Sequence, residues 1–344
     1  MKRTPVADVK RQVWKTPKAG AISRLILCEE HLPALQDGEV RIRVKAIGLN
    51  FADIFALTGL YSATPVGAFI PGLEFSGTIE AVAADVGNLK VGDKVMGVTR
   101  FGDYASYIHS PTQYLQPLPI GWSFEQGAAY LVQTLTAWYA LMELGQFKKQ
   151  HHVLVHSAAG GVGLQAMKLV RALGGNVTGT VSSQAKVEFL KQQGFKQNLV
   201  RGPDFAKQLS EQGLQFDLVL DAIGGKIQKA SFDALNPMGR LVVFGAAQFT
   251  PGKNRPNYLK AAWQYLSRPK YDVMEMISDN KSVMAFNLIW LWQQVPLMNA
   301  LIKDMQQIEI DPPHVGHVFK FDDAHQGIEC LRAGHTQGKV VLIL

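Results

Sequence analysis

A glycine-rich loop between a strand-like run and a helix-like run limits the fold of this chain more than any other feature. Residues 153–156, three apolar residues followed by His156, are typical of a short buried strand, and residues 164–173 carry apolar side chains at helical spacing. A strand, a glycine loop and a helix in this order form the turn at which an α/β fold presents backbone N–H groups to a pyrophosphate. We therefore predict a dinucleotide site at the loop, the alternative being a tight turn without a ligand. The predicted contacts are Ala158, Gly160, Gly161, Val162 and Gly163.

The pattern on either side of this loop predicts two domains. From residue 125 onwards, starting with a helix predicted at 125–144, helix-like and strand-like runs alternate, which indicates a doubly wound parallel sheet with helices on both faces, a Rossmann domain. The first third instead has short strand-like runs separated by Gly and Pro turns, and residues 315–344 return to that β-type pattern. We predict an α/β fold with a Rossmann domain at 126–285 and a β-rich domain formed by 1–125 and 286–344. Residues 249–282 fit neither pattern.

The end of the second Rossmann strand predicts which dinucleotide binds. An enzyme that uses NAD usually has Asp or Glu there for the ribose 2′-hydroxyl, but this chain has no carboxylate between Thr180 and Glu188. Hydroxyls and cations suit a 2′-phosphate, so we predict NADP(H) as the cofactor. The predicted contacts are Ser182, Ser183, Lys186 and Arg201. The alternative for the two cations is that they are ordinary solvated charges.

Composition and charge exclude several other classes of protein. Two cysteines, Cys28 and Cys330, are too few for a disulfide framework or a four-cysteine zinc site, which favours a cytoplasmic location. The net charge of +7 comes from scattered basic residues, so nucleic acid is not an expected partner. No run of about 18 apolar residues occurs, and the basic N-terminal stretch with Lys2 and Arg3 has no apolar core behind it. We expect neither integral membrane association nor a secretory signal.

A set of short motifs occurs in a fixed order from about residue 20 to the C-terminus. They are Gly48-Leu49-Asn50-Phe51-Ala52-Asp53, Thr58-Gly59-Leu60-Tyr61, Pro71-Gly72-Leu73-Glu74-Phe75-Ser76-Gly77, Val91-Gly92-Asp93-Lys94-Val95, Leu135-Thr136-Ala137-Trp138-Tyr139, the segment from Val153 to Gly163, Asp221-Ala222-Ile223-Gly224-Gly225 and Gly338-Lys339-Val340-Val341-Leu342. With them the chain resembles the zinc-independent quinone oxidoreductase branch of the medium-chain dehydrogenase/reductase superfamily. Within that branch it is most similar to the vesicle amine transport protein-like group.

This resemblance implies an architecture and a type of chemistry. It implies a GroES-like substrate domain beside the Rossmann domain, an active site in the cleft between them, and a homodimer. It also implies no catalytic zinc, because the zinc-binding Cys and His positions of the alcohol dehydrogenases hold Asn50 and Leu73. Without a metal, the expected reaction is hydride transfer from NADPH to a quinone or an α,β-unsaturated carbonyl.

The resemblance also implies the site residues. Asn50, Asp53 and Tyr61 are the predicted catalytic residues. The predicted contacts to the nicotinamide end of the cofactor are Thr136, Phe244, Gly245, Phe286, Asn287, Leu288 and Lys339.

Each of these residues also has a structural alternative. Asn50 could satisfy a turn, Asp53 could cap the following helix, Tyr61 could pack in the core, and Thr136 could bond to its own helix. For the whole protein, two other hypotheses stay open. One is an NADPH-binding interaction protein with little turnover, docking through residues 249–282. The other is a reductase of aldehydes or acyl thioesters.

Overall fold

The computed structural model describes residues 9–344, so Lys2 and Arg3 of the basic N-terminal stretch lie outside the described residues. The chain forms two compact units. The first unit contains the described residues up to Val132 together with Pro251–Pro256 and Pro312–Leu344. The second unit contains Gln133–Thr250 and Asn257–Asp311.

In the second unit the strands alternate with helices. The strands of the first unit come from the two ends of the chain. The strands are β1 (Val9–Lys15), β2 (Ile26–Leu32), β3 (Glu39–Gly48), β4 (Glu74–Val82), β5 (Lys94–Val98), β6 (Tyr107–Pro111), β7 (Leu115–Pro117), β8 (His152–His156), β9 (Asn176–Val181), β10 (Asn198–Val200), β11 (Phe216–Asp221), β12 (Leu235–Val243), β13 (Ser282–Ala285), β14 (Val315–Lys320) and β15 (Lys339–Ile343).

The helices are mostly two to three turns long. The α-helices are α1 (Phe51–Thr58), α2 (Phe124–Gly127), α3 (Leu131–Trp138), α4 (Gly161–Ala172), α5 (Gln184–Gln192), α6 (Phe205–Glu211), α7 (Gly225–Asp233), α8 (Tyr258–Leu266), α9 (Val273–Asp279), α10 (Val295–Gln306) and α11 (Ala324–Arg332). A π-helical turn continues α3 at Tyr139–Leu144, and 3₁₀ turns lie at Ile22–Arg24, Thr112–Tyr114, Ala247–Phe249, Leu288–Gln293 and Phe321–Asp323. No helix among these described segments is long and apolar enough to cross a membrane.

The second unit is built on a six-stranded parallel sheet. Its strands lie in the order β10-β9-β8-β11-β12-β13, with the first strand of the unit at the centre of the sheet. This is the order of a Rossmann fold, in which the glycine loop follows the central strand. Residues 153–155 of β8 and 218–220 of β11 are continuous apolar runs buried on both faces, which is why their sequence does not alternate. The predicted doubly wound sheet is confirmed.

The first unit is built on a seven-stranded, mostly antiparallel sheet. The strands run in the order β14-β15-β3-β4-β5-β7, and β6 also pairs with β3. The C-terminal strand β15 therefore lies inside the sheet, between β14 and β3. Apolar side chains of β3 and β4, such as Ile42, Ile47 and Phe75, form a buried core with α1 and α11. Strands from both ends of the chain therefore share one sheet, and of the predicted C-terminal segment 286–344 the residues from Pro312 onwards belong to this unit.

Two predicted elements differ from the structure. The helix predicted over 125–144 is broken, because α2 ends at Gly127 and a new helix begins at Leu131. Gly127 lies so close to the sheet that a Cβ there would be 2.4 Å from Leu118 Cδ1, and Ser76 Oγ donates to the carbonyl of Phe124. Residues 315–344 are not purely β-type, since α11 separates β14 from β15. Its buried Ala324, Ile328 and Leu331 follow helical spacing that flanking β-type residues obscure in the sequence.

Candidate functional site

The glycine loop of the second unit brings the start of α4 against the end of β8. Ser157 follows β8 in a left-handed conformation with φ of 52°, and Gly160 forms the N-cap of α4. A Cβ at Gly163 would lie 2.3 Å from the carbonyl oxygen of Ser157 and 2.7 Å from Ala158 Cα. Both atoms are backbone and cannot rotate away, so only glycine allows this close approach. The first N–H groups of α4 lack intrahelical acceptors, which makes this end suited to an anion.

A second group of predicted residues meets where β9 and β10 end. Ser182 and Ser183 follow β9 and are exposed, and Ser183 is the N-cap of α5. Lys186 lies in the first turn of α5, and burial together with the nearby charge of Arg201 lowers its pKa. Arg201 follows β10, and its Nη1 donates to Thr180 Oγ1 at 2.9 Å. The structure therefore brings two hydroxyls and two cations to one end of the sheet.

The predicted nicotinamide contacts of the second unit also meet at strand ends. Phe244 and Gly245 follow β12, and Phe286 follows the adjacent strand β13. The rings of Phe244 and Phe286 have centroids 6.1 Å apart, and the N–H of Phe286 donates to the carbonyl of Val243. Asn287 is the N-cap of the 3₁₀ turn that begins at Leu288. Thr136 is buried within α3.

In the first unit, Asn50 and Lys339 belong to a buried ion-pair cluster. Lys339 Nζ donates to Glu74 Oε1 at 2.5 Å and to Asn50 Oδ1 at 2.9 Å. The side-chain amide of Asn50 donates to the same Glu74 oxygen and to the carbonyl of Gly48. The N–H of Val132 donates to the other Glu74 oxygen at 3.1 Å. Asn50 therefore has both amide hydrogens and its carbonyl oxygen engaged, which makes it a framework residue rather than a free donor.

Asp53 and Asp103 form a second, carboxyl-rich group in the first unit. Asp53 Oδ2 accepts the N–H of Asn50 at 2.8 Å and the Tyr104 hydroxyl at 3.2 Å. Burial raises the pKa of Asp53 to about 7, although the charge of Lys339 opposes this rise. Burial and then the negative charge of Asp53 raise the pKa of Asp103 well above its ordinary value. Asp53 Oδ1 and Asp103 Oδ1 are buried without a hydrogen-bond partner among the described residues.

The structure assigns local roles to the predicted catalytic residues. Asn50, not Asp53, is the N-cap of α1, so the alternative that Asp53 is the N-cap is wrong. Asp53 instead stands at the third position of α1 and accepts the N–H of Asn50, as the acidic member of a capping box does. Tyr61 follows α1 and packs edge-on against Phe101, with ring centroids 6.4 Å apart. The structure thus brings Asn50, Asp53 and Lys339 together and leaves their catalytic or binding roles as predictions.

Sequence reasoning missed part of this group. It named none of Glu74, Asp103 and Tyr104 as a site residue, although Glu74 is the counter-ion of Lys339. The space for the Asp103 carboxylate is made by Gly72, which has φ of 109° and where a Cβ would lie 1.4 Å from Asp103 Oδ1. A glycine that makes space for a residue 31 positions later leaves no local pattern, and the Pro71-Gly72 pair indicated only a turn.

No metal centre emerges from the described part of the chain. Residues 9–344 contain no group of three or more His, Cys, Asp or Glu side chains that could hold a metal ion. Asn50 stands where a zinc-binding cysteine would be expected, and the ammonium of Lys339 already lies between Asn50 and Glu74. Amide and ammonium groups are poor partners for zinc.

Comparison with known sequences identifies two domain families and several relatives that match most of this chain. Residues 36–120 match the alcohol dehydrogenase GroES-like domain, and residues 161–288 match the zinc-binding dehydrogenase domain. The synaptic vesicle membrane protein VAT-1 homolog of Mus musculus is 31% identical over 90% of this chain and 78% of its own length. The Danio rerio protein of that name is 32% identical over 90% of this chain, but the match spans only 65% of its length, under two thirds. A quinone oxidoreductase of Pseudomonas aeruginosa is 37% identical over 61% of this chain and 65% of its length.

Solved structures share the same two-unit fold. A mycobacterial protein solved in complex with NADPH has 27% sequence identity and a TM-score of 0.83, covering 97% of this chain and 100% of that one. A Thermus thermophilus quinone oxidoreductase, solved alone and with NADPH, has 29% identity and a TM-score of 0.78, covering 97% and 100%. The CurK enoyl reductase has 26% identity and a TM-score of 0.79, covering 97% and 99%.

Proposed function

The chain belongs to the medium-chain dehydrogenase/reductase superfamily, close to the VAT-1 homologues and the quinone oxidoreductases, and on that premise we propose that it is an NADPH-dependent, zinc-independent reductase of quinones or α,β-unsaturated carbonyls. The family membership confirms the resemblance found in the sequence. One observation carries the proposal: two hydroxyls and two cations meet at the ends of β9 and β10, without the carboxylate that would mark NAD.

The donors in the second unit fit NADPH. A 2′-phosphate is a dianionic group, so Lys186 and Arg201 attract it while Ser182 and Ser183 supply short donors. The loop Ala158, Gly160, Gly161, Val162 and Gly163 is proposed to hold the pyrophosphate through backbone N–H groups. Two neighbours in the comparison, the mycobacterial and Thermus proteins, were solved with NADPH.

The nicotinamide end is proposed to lie against the strand ends of β12 and β13. Phe244, Gly245 and the segment Phe286, Asn287 and Leu288 would hold the carboxamide, and Thr136 would contact the ring. When bound, NADPH supplies the hydride. The chain's own task is then to align the acceptor and to stabilise negative charge that moves to its oxygen.

The first unit is proposed to supply the polar groups of the substrate side. Tyr61 is our candidate donor to the substrate oxygen, because the amide hydrogens of Asn50 are engaged by Gly48 and Glu74. Asn50 and Lys339 would keep this group of polar side chains rigid through their hydrogen bonds to Glu74. Burial raises the pKa of Asp53 to about 7, so this carboxyl, which accepts the N–H of Asn50, is partly protonated near neutral pH.

A second candidate function is an NADPH-binding interaction protein with little turnover. The observation that favours it is the exposed apolar surface of α8 and α9, which contain no buried residue. Leu259, Trp263 and Ile277 are examples, each at least 66% exposed. Replacing Leu259 and Trp263 with Gln tests this second function: weakened liposome or partner binding with unchanged reductase activity would favour it, and unchanged binding would count against it.

The assembly and location are proposed on separate grounds. We propose a homodimer because the family resemblance implies one, and a small-molecule substrate in keeping with the name of the quinone oxidoreductase relative. We place the protein in the cytoplasm because Cys28 and Cys330 are both free thiols, as expected in a reducing compartment.

The decisive experiment is titration of the purified protein with NADPH and NADH, followed by nicotinamide fluorescence, and then addition of quinones and enones. We expect tighter binding of NADPH and its oxidation on adding an acceptor. A matched variant, Ser182→Glu, places a carboxylate after β9 and should weaken NADPH binding while sparing NADH. Binding of neither nucleotide would refute the cofactor site. Tight NADPH binding without oxidation by any acceptor would favour the interaction protein.

A further inference from the structure

A continuous buried chain of hydrogen bonds ends at Arg201 in the second unit. His156, fully buried at the end of β8, bonds through Nδ1 to Thr180 Oγ1 and through Nε2 to Ser231 Oγ, both at 2.7 Å. The Ser231 hydroxyl donates to the carbonyl of Ile227 at 2.8 Å. At the other end, Arg201 Nη1 donates to Thr180 Oγ1 at 2.9 Å. The chain thus connects α7, β8 and β9 with the residue that follows β10.

The positions of the protons in this chain follow from its two ends. Ser231 has one hydroxyl hydrogen, which goes to Ile227, so its oxygen must accept from Nε2–H of His156. Burial, and then the nearby charge of Arg201, lower the pKa of His156 to about 3, so the ring carries a single hydrogen at neutral pH. Nδ1 is then an acceptor and takes the hydroxyl hydrogen of Thr180. The Thr180 oxygen is left with its lone pairs facing Arg201.

This arrangement holds one nitrogen of the guanidinium and leaves an edge for an anion. Among residues 9–344, Nε and Nη2 of Arg201 have no hydrogen-bond partner. These two nitrogens form the edge that matches two oxygens of a phosphate. The carboxylate of Asp221 opposes the lowering of the Arg201 pKa by burial, and its own hydrogen bonds go to Ile223, Gly224 and Gln228.

We propose that Thr180, held by His156 and Ser231, is a positioning residue for nucleotide selectivity: it orients the Arg201 guanidinium for the 2′-phosphate and so sets the preference for NADPH over NADH. The inference rests on the proposed cofactor. Its physical basis is preorganisation, since an arginine fixed before binding loses less side-chain freedom on meeting the phosphate. Neither Thr180 nor His156 nor Ser231 contacts the nucleotide in this proposal.

The test compares dissociation constants for NADPH and NADH in variants of the full chain. Thr180→Val keeps the side-chain shape but removes the hydroxyl. We expect it to weaken NADPH binding about tenfold and to leave NADH binding unchanged. Thr180→Ser keeps the hydroxyl and should restore the wild-type ratio. NADH binding serves as the control for folding in each variant. In an Arg201→Met background, Thr180→Val should have no further effect on NADPH.

Two results would overturn the inference alone. One is that Thr180→Val weakens the binding of NADPH and of NADH equally, although the wild type prefers NADPH. Thr180 would then have a structural role only. The other is an unchanged preference for NADPH in Arg201→Lys. This variant keeps the positive charge on a half-buried residue but loses the two-nitrogen edge of the guanidinium. It also provides the test if Thr180→Val does not fold. A wild type without NADPH preference would overturn the proposed cofactor, and the inference would fall with it.

Discussion

Replacing Lys339 with Met should destabilise the first unit more than the loss of one hydrogen bond would. Lys339 and Glu74 side chains are only 2% and 1% exposed, and Nζ bonds to both Glu74 and Asn50. The variant leaves the Glu74 carboxylate buried with donors from Asn50 and Val132 but without this cation. Removing one partner of a buried ion pair costs about 3–5 kcal/mol, because the remaining charge is not compensated. We expect the free energy of unfolding to fall by about that amount.

A double-mutant cycle separates the charge from the packing. Urea unfolding, followed by circular dichroism, is measured for Lys339→Met, Glu74→Gln and the double variant. We expect the double variant to be more stable than Lys339→Met alone, because a neutral amide replaces the stranded carboxylate. Lys168→Met is the matched control. Lys168 is equally buried, at 3% exposure, but its Nζ donates to the carbonyl of Asp311, whose own carboxylate is 77% exposed.

The reasoning would be refuted by either of two results. If Lys339→Met cost no more than Lys168→Met, the buried carboxylate would not be the source of the penalty. If the free-energy changes of the two single variants simply added in the double variant, Lys339 and Glu74 would not interact as their geometry requires.

Two further predictions concern the carboxyl group and the glycine loop. Asp53→Asn should remove a pH dependence of stability. The Asp53 carboxyl has a pKa of about 7 in the folded protein and therefore keeps a proton that the unfolded chain releases near 3.8. Between pH 4 and 7 the unfolding free energy of the wild type should thus fall, relative to the variant, by about 1.4 kcal/mol per pH unit as pH rises. The lowered pKa values of His109 and His156 change stability with pH in the opposite direction, but they are common to both proteins. The measurement is therefore the difference between the unfolding free energies of the two proteins, taken from urea curves at several pH values. If the two free energies changed in parallel with pH, the prediction would be contradicted. Gly163→Ala should lower the melting temperature and weaken NADPH binding. Overpacking costs about 1–3 kcal/mol, whereas the higher helix propensity of Ala contributes only about 1 kcal/mol. Gly160→Ala, whose Cβ would meet only Ser157 O at 3.2 Å, is the control for stability, and an equal fall in the melting temperature of both variants would contradict the steric argument.

The second unit could be predicted from sequence because its signals are local. Each strand and helix carries its own periodicity, and right-handed connections between parallel strands then restrict the order of the sheet. The loop residues Gly160 and Gly163 identify the turn by their spacing. What periodicity could not show is the break after Gly127, since it arises from contact with Leu118 and Ser76 in other elements.

The polar groups of the first unit were predictable only in part. Resemblance predicted Asn50, Asp53 and Lys339, but not that Lys339 meets Asn50 across 289 residues of chain. Asp103 carried no signal, because the space for its carboxylate is made by Gly72. Buried polar contacts between distant segments depend on the complete fold, and no spacing in a single sequence encodes them.

The internal position of β15 also sets an order of events during synthesis. Lys339 is added to the growing chain 265 residues after Glu74, which at about 5–20 residues per second is a delay on the order of 13–50 s. All six strands of the second unit are complete by Ala285, so that sheet can form while the first unit still lacks β14 and β15. Until then Ala46, Ile47 and Gly48 of β3 lack the strand with which they pair, and Glu74 has no lysine beside it. The pairing of β15 with β3 and the burial of Glu74 beside its counter-ion are therefore among the last steps in forming the first unit.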